Sequence, residues 1–385
     1  MSSQRLDVGS WQIVGLLLLL AANAASAQRL TEDLILGTGE HHATEDFYRS
    51  VGSVTTDSNG RIFVTEYHGG DIRVYAQDGE YLTTLGSRGA APGEFQTINA
   101  LGMTPDGRLV VLDQRNHRFT WFAPGLDHYD IAPVHGERQL WASQILNLSE
   151  KEFLLSQSSF RWGEPEGAAS DWGVLHVHAP TFERTASFAD GEDFSPDDEM
   201  GEARLKSGLR YLNPLVLHAD SVLVSEEYYP GYLTLFVRKD GAWRWAQTWQ
   251  GTPVERRYRV LDQPHTVEWE DLPWQSIPTG WAGPGGSWRV DVWSTSRGLA
   301  LSPAGTILHF SYIFDGRQGV FGVEEFARDG QLIAYHKLQR SREGHTAVPL
   351  AHAMVMHQDA LGNIYFSHGE DGAPVVRRMQ WRPAG

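Results

Sequence analysis

The chain contains no cysteine. That excludes disulfide stapling, a thiol nucleophile, a thiolate metal site and a lipid-modified cysteine behind a leader. Positive charge is scarce: 32 Lys and Arg stand against 48 Asp and Glu, for a formal net charge of −16. A general binder of phosphate backbones needs clustered Lys and Arg, so nucleic acid is not an expected partner. The acidic surplus suits solubility outside the cell and attraction for cations or basic ligands. Several enzyme signatures are missing as well: there is no H-E-x-x-H, G-x-S-x-G, G-x-x-x-x-G-K or EF-hand spacing.

Long apolar runs are absent except near the N-terminus. Ile13–Ala22 is apolar, follows a polar leader holding Arg5, and precedes the small-residue pattern Ala25-Ser26-Ala27. The run falls short of the roughly 20 residues of a membrane span, whereas a charged leader, apolar stretch and A-x-A site define a signal peptide. Asp7 is unusual in such a leader. Residues 1–27 are expected to be removed, leaving an exported chain, periplasmic or secreted, with no membrane span and read as a monomer.

What is present is a repeated pattern of short strands and turns. Leu85–Pro124 reads as a glycine-punctuated loop, a strand, an Asp106-Gly107 turn, a strand ending in Asp113, and a third strand over Phe119–Phe122. A meander this short cannot bury both faces alone and needs similar neighbours. Five further units follow the same plan, around turns such as Asn59-Gly60, Asp240-Gly241 and Asp329-Gly330. Gly86, Pro92-Gly93-Glu94-Phe95, Asp106-Gly107, Val110-Val111-Leu112-Asp113, Asn116 and Arg118 together resemble one NHL repeat, the blade unit of a family of β-propellers. The resemblance implies an all-β, six-bladed propeller, and a mature chain of about 358 residues suits six four-stranded blades.

The sixth unit is one strand short, and Leu30–Leu36 is the spare. The N-terminal strand is therefore expected to complete the last blade, hiding a sheet edge. Three long insertions, 160–172, 189–211 and 251–292, all follow second strands or whole blades, which puts them on one face. The last interleaves Trp269, Trp274, Trp281, Trp288 and Trp293 with prolines and reads as a self-packed rim loop or a ligand-stacking cap. The acidic stretch Asp190–Glu202 reads as a solvated loop.

Aligning the units on their turns exposes two polar rings near the axis on that face. Starts of the innermost strands supply Asn99, Asn213, Arg297 and His352; ends of the second strands supply Glu66, Asp113, Glu226 and His368. Arg115, Arg161 and Tyr228 lie beside them. Asp113 is read first as a cap on loop N–H groups, because the repeat places a carboxylate there whatever the function. Arg297 and His352 are less expected in an inner strand, though a structural histidine is commoner than a metal ligand. Oxygen donors at Glu66, Asn99, Asn213 and Glu226 would suit Ca²⁺, and His352 with His368 and a carboxylate would suit Zn²⁺. The leading expectation is a binding module for a small molecule, glycan or peptide at the capped axial mouth. The alternative is a metal-dependent lyase or lactonase-like hydrolase at the same mouth, and a third is a scaffold using its outer edges.

Overall fold

A computed structural model describes residues 29–37, 51–66, 69–134, 142–157, 174–189, 212–227, 231–252, 258–261, 277–283, 286–292, 294–314, 319–338, 353–370 and 373–382. Within them, runs of β-branched and aromatic residues closed by Asx and glycine turns make every regular element a strand. Six four-stranded antiparallel sheets result, each a simple meander. Blade 1 takes Val51–Thr56, Ile62–Glu66, Ile72–Tyr75 and Tyr81–Leu85 from the axis outward. Blade 2 takes Ile98–Met103, Leu109–Asp113, Arg118–Phe122 and Tyr129–Pro133. Blades 3, 4 and 5 begin at Ala142, Leu212 and Thr295. The innermost strand of each blade contacts those of its neighbours, and that of blade 6, Met354–Gln358, returns to blade 1. The ring is closed: this is a six-bladed β-propeller.

The core lies between blades rather than within them. Six apolar clusters form, one at each blade-to-blade interface; Phe310, Phe366, Val323 and Trp381, for example, join blades 5 and 6. A single sheet has two apolar faces to cover, so each blade is stable only between neighbours. Truncating a fully buried ring such as Phe310 to alanine costs about 3–5 kcal/mol.

The turns between first and second strands share one chemistry. The Asp57 carboxylate accepts from the Asn59 and Arg61 N–H groups. The side-chain oxygens of Thr104, Ser302 and Asp359 play the same role in blades 2, 5 and 6. Gly107 completes the blade 2 turn at φ 83°, a conformation that favours glycine.

Blade 6 closes as expected. Arg29–Leu36 pairs antiparallel with Ala373–Arg382 as its outermost strand. An irregularity between Glu32 and Leu34 turns Asp33 toward Arg378, with Nε 2.9 Å from Oδ1, while Glu32 pairs with the buried Arg377. Each arginine thus fastens the two ends of the chain together.

The third insertion, which reads in the sequence as a rim loop or a cap, contains strands. Tyr258–Leu261, Gly286–Val292 and Ile277–Gly283 form a three-stranded antiparallel sheet in that order. Glycines at 283 and 286 face each other across a hairpin, and Pro278 sits on an edge strand, where a missing N–H is tolerated. Residues 1–27 and the insertions at 160–172 and 190–211 lie outside the described residues.

Candidate functional site

The expected inner ring corresponds to a backbone device. In blades 1, 2, 3 and 5 the pairing of first and second strands slips by one residue near its start, at Val51/Ser53, Ile98/Ala100, Ala142/Gln144 and Ser296/Gly298. The residues left over are Gly52, Asn99, Ser143 and Arg297. A bulge re-aims the extra side chain and recurs beside functional sites. In blade 5 the bulge also needs Gly298, whose φ is 116° and where an added Cβ would lie 2.8 Å from Cβ of Val355. Blade 4 has no such slip at this end: Asn213 pairs in register with Ser225.

An axial cavity of about 720 Å³ is lined by the inner strands of all six blades. Gln144, Asn147 and Asn213 supply amides, and Ile145, Leu215 and Val355 supply apolar surface. Its rim includes Asp57, Asp106 and Asp359 from the short turns, opposite the face from which the insertions arise. Thr56 Oγ1 lies 2.8 Å from His357 Nε2, tying blade 1 to blade 6. Burial pushes the His357 imidazole down to about 4, so it is neutral at pH 7. Asn213 is 6 % exposed, and its Nδ2 has no hydrogen-bond partner among the described residues; nor has the buried Oε1 of Gln144. Buried polar atoms are normally paired, so two such groups on neighbouring blades along a cavity are atypical.

The other sequence candidates divide. Asp113 is fully buried and caps its loop: Oδ2 accepts from Gln96 N at 3.0 Å, Oδ1 from Thr97 N at 3.1 Å, and Asn116 Nδ2 donates at 2.6 Å. Glu66 pairs with Arg73 at 3.3 Å. Arg115 is exposed on the turn after Asp113. Asn99 is half-buried, and its Oδ1 lacks a partner among the described residues. Glu226 is buried opposite Leu212. Arg297 is buried, with Nη1 3.7 Å from Oε1 of Glu227, a residue the sequence reading passed over. Burial pushes the Glu227 carboxyl up, against the pull of Arg297, and pushes the Tyr312 phenol up as well. His352, Arg161 and Tyr228 lie outside the described residues, and His368 is placed on its strand opposite Val375 without a described side chain. Among the described residues no three of His, Asp and Glu converge as metal ligands.

One constellation escaped the sequence entirely. His309 Nδ1 lies 2.8 Å from Glu324 Oε2, and Nε2 lies 2.9 Å from Ser296 Oγ, which is 2.9 Å from Ser225 Oγ. Glu324 also accepts from the Thr252 N–H, where the third insertion leaves blade 4. Burial raises the Glu324 carboxyl, but its bonds to His309 and Thr252 outweigh that and hold it below the usual range. The geometry is that of a nucleophile–base–acid relay. All four side chains are at most 1 % exposed, which makes the relay a strut between blades 4 and 5 rather than a reacting centre. Its only sequence signal is the two-residue alternation that puts His309 and Glu324 on buried faces.

No known family profile matches the chain, and no curated protein does. Solved structures do resemble it. A DUF4221 family member from Bacteroides vulgatus superposes with a TM-score of 0.54 at 9% identity, over 94% of this chain and 100% of that one. A protein described as exported, from Bacteroides fragilis, gives 0.50 at 10% identity, over 92% and 96%. Virginiamycin B lyase from Staphylococcus aureus gives 0.44 at 7% identity, over 92% and 99%. At such identities the likeness is one of fold.

Proposed function

We propose that this is an exported, NHL-like propeller that acts as a binding module, taking a small molecule or the end of a larger one at its axis. The cavity carries the proposal, because Gln144, Asn147 and Asn213 line it with neutral amides beside apolar Ile145, Leu215 and Val355. Concave, mostly apolar sites with a few converging polar groups are the default ligand sites of such architectures. Export is supported by the leader at 1–27, and the NHL affinity by the second blade. The insertion face, with Arg297 and Glu227 at the end of the same axis, is the second mouth through which a larger ligand would extend.

The test is a thermal-shift screen of the mature chain against a chemically mixed small-molecule library. Asn147→Trp serves as the control, since Asn147 is exposed and lines the cavity, so a larger ring there fills space without crowding the core. Ligands that stabilise the wild-type chain and not Asn147→Trp support axial binding. A screen in which every stabilising ligand acts equally on both proteins refutes it.

A further inference from the structure

We infer that the axial cavity takes a neutral, hydroxyl-rich ligand, a saccharide of one or two rings; the inference rests on the axial-binding reading above. The lining's charged residues are Asp57, Asp106 and Asp359, and all three are committed to their own turns. Asp57 accepts from two backbone N–H groups and from Arg61 Nε at 2.6 Å. Asp106 is held by the Thr104 hydroxyl and by Arg108 Nε at 2.9 Å. Asp359 accepts from the N–H groups of Leu361 and Asn363, from Asn363 Nδ2 at 2.7 Å and from the Tyr365 hydroxyl. Among the described residues no Lys or Arg lines the cavity, and His357 is uncharged. An anionic ligand would therefore give up hydration without meeting a cation among the described lining, and a cationic one would meet only carboxylates already bonded within their turns.

The unused groups point the same way. Asn213 Nδ2 asks for an acceptor and Gln144 Oε1 for a donor, from adjacent blades. A hydroxyl can either donate or accept, and a sugar ring carries several beside an apolar C–H face. Ile145 and Leu215, on the same strands, line the cavity and suit that face. The volume of about 720 Å³ lies within the range of small-ligand sites, roughly 300–1,000 Å³.

The experiment is calorimetric titration of the full mature chain with two sets of probes. The neutral set is glucose, galactose, mannose, maltose, lactose, cellobiose and maltoheptaose; the charged set is glucuronate, glucosamine, citrate and spermidine. Binding within the neutral set is expected, lost in Asn147→Trp and weakened about tenfold in Asn213→Leu, the loss of one buried hydrogen bond. Asn213→Leu should melt no lower than wild type, since it removes an unpaired buried donor, so weakened binding will not be a folding defect. A disaccharide that binds where maltoheptaose does not identifies a free sugar; binding of both identifies a chain end. If only charged probes bind, and Asn147→Trp blocks them, the neutral class is wrong while axial binding stands. If no probe in either set binds in a way that Asn147→Trp alters, the saccharide assignment falls, and the mixed-library screen separately decides the axial reading.

Discussion

Mild acid should unfold this propeller well above the pH at which its carboxylates protonate. Three buried imidazoles are responsible. Burial pushes His176 down to about 3, helped by nearby Arg184 and His178. It pushes His178 down to about 4, against a hydrogen bond to the Phe182 carbonyl, and His357 to about 4, against Asp359. In the unfolded chain each titrates near 6.5, so between 6.5 and 4 the unfolded state binds more protons than the native state. Stability is therefore intact above pH 6.5 and lost as pH falls toward 4. At pH 5 each depressed imidazole removes about 2 kcal/mol, and the three together about 4–6, the lower figure allowing for residual hydration of half-buried His357. Against a typical total of about 5–15 kcal/mol that is a large fraction. Urea melts at half-unit steps from pH 7.5 to 4.5 would measure it. A triple variant, His176→Gln, His178→Phe and His357→Gln, should show a much flatter dependence, whatever its stability at pH 7.5. His178 already stacks on Phe153 with an interplanar angle of 11°, so a phenyl ring fits the site. An unchanged urea midpoint between pH 7.5 and 5, or the same slope in the triple variant, would refute the reasoning.

Glu324→Ala leaves His309 and the Thr252 N–H without their acceptor and should cost about 3–5 kcal/mol, read as a lower urea midpoint at pH 7.5. Deleting residues 29–36 bares the edge of the Ala373–Arg382 strand and strips Arg377 of Glu32; the melting temperature should fall by on the order of 10 °C, and an unchanged value would mean that the ring closes otherwise. Gly298→Ala must take φ 116° and meet Val355, and should destabilise by about 1–3 kcal/mol; a neutral result in thermal melts would show that the blade 5 bulge relaxes freely.

Much of the ring could be read from the chain because its determinants are local. Turn glycines, side-chain oxygens such as Asp57 and Thr104, and period-two apolar runs recur from blade to blade and mark strand ends without reference to distant residues. The missing fourth strand of the last unit, with a spare at Leu30–Leu36, foretold the closure by the same arithmetic. The strands within the insertion at 251–292 were not legible, because its tryptophans and prolines obscure a hairpin whose turn glycines stand at 283 and 286.

The site was legible only in part. Turn alignment singled out Asn213, which lines the cavity, and Asn99 and Arg297, which the bulges project; it also singled out Asp113, which the fold uses as a loop cap. It passed over Gln144, next to a bulge at Ser143, and Glu227 beside Arg297. Chain order alone determined the number of blades and their sequence around the ring, since hydrogen-bonded neighbours within a meander are close in sequence, and the strand count of the last unit determined how the ends meet. Tertiary structure decided which carboxylates are spent in turns, which amides stay unpaired at the axis, and that Ser225, Ser296, His309 and Glu324 meet. Those contacts span separate strands or blades, and a one-residue slip in register changes which way a side chain points.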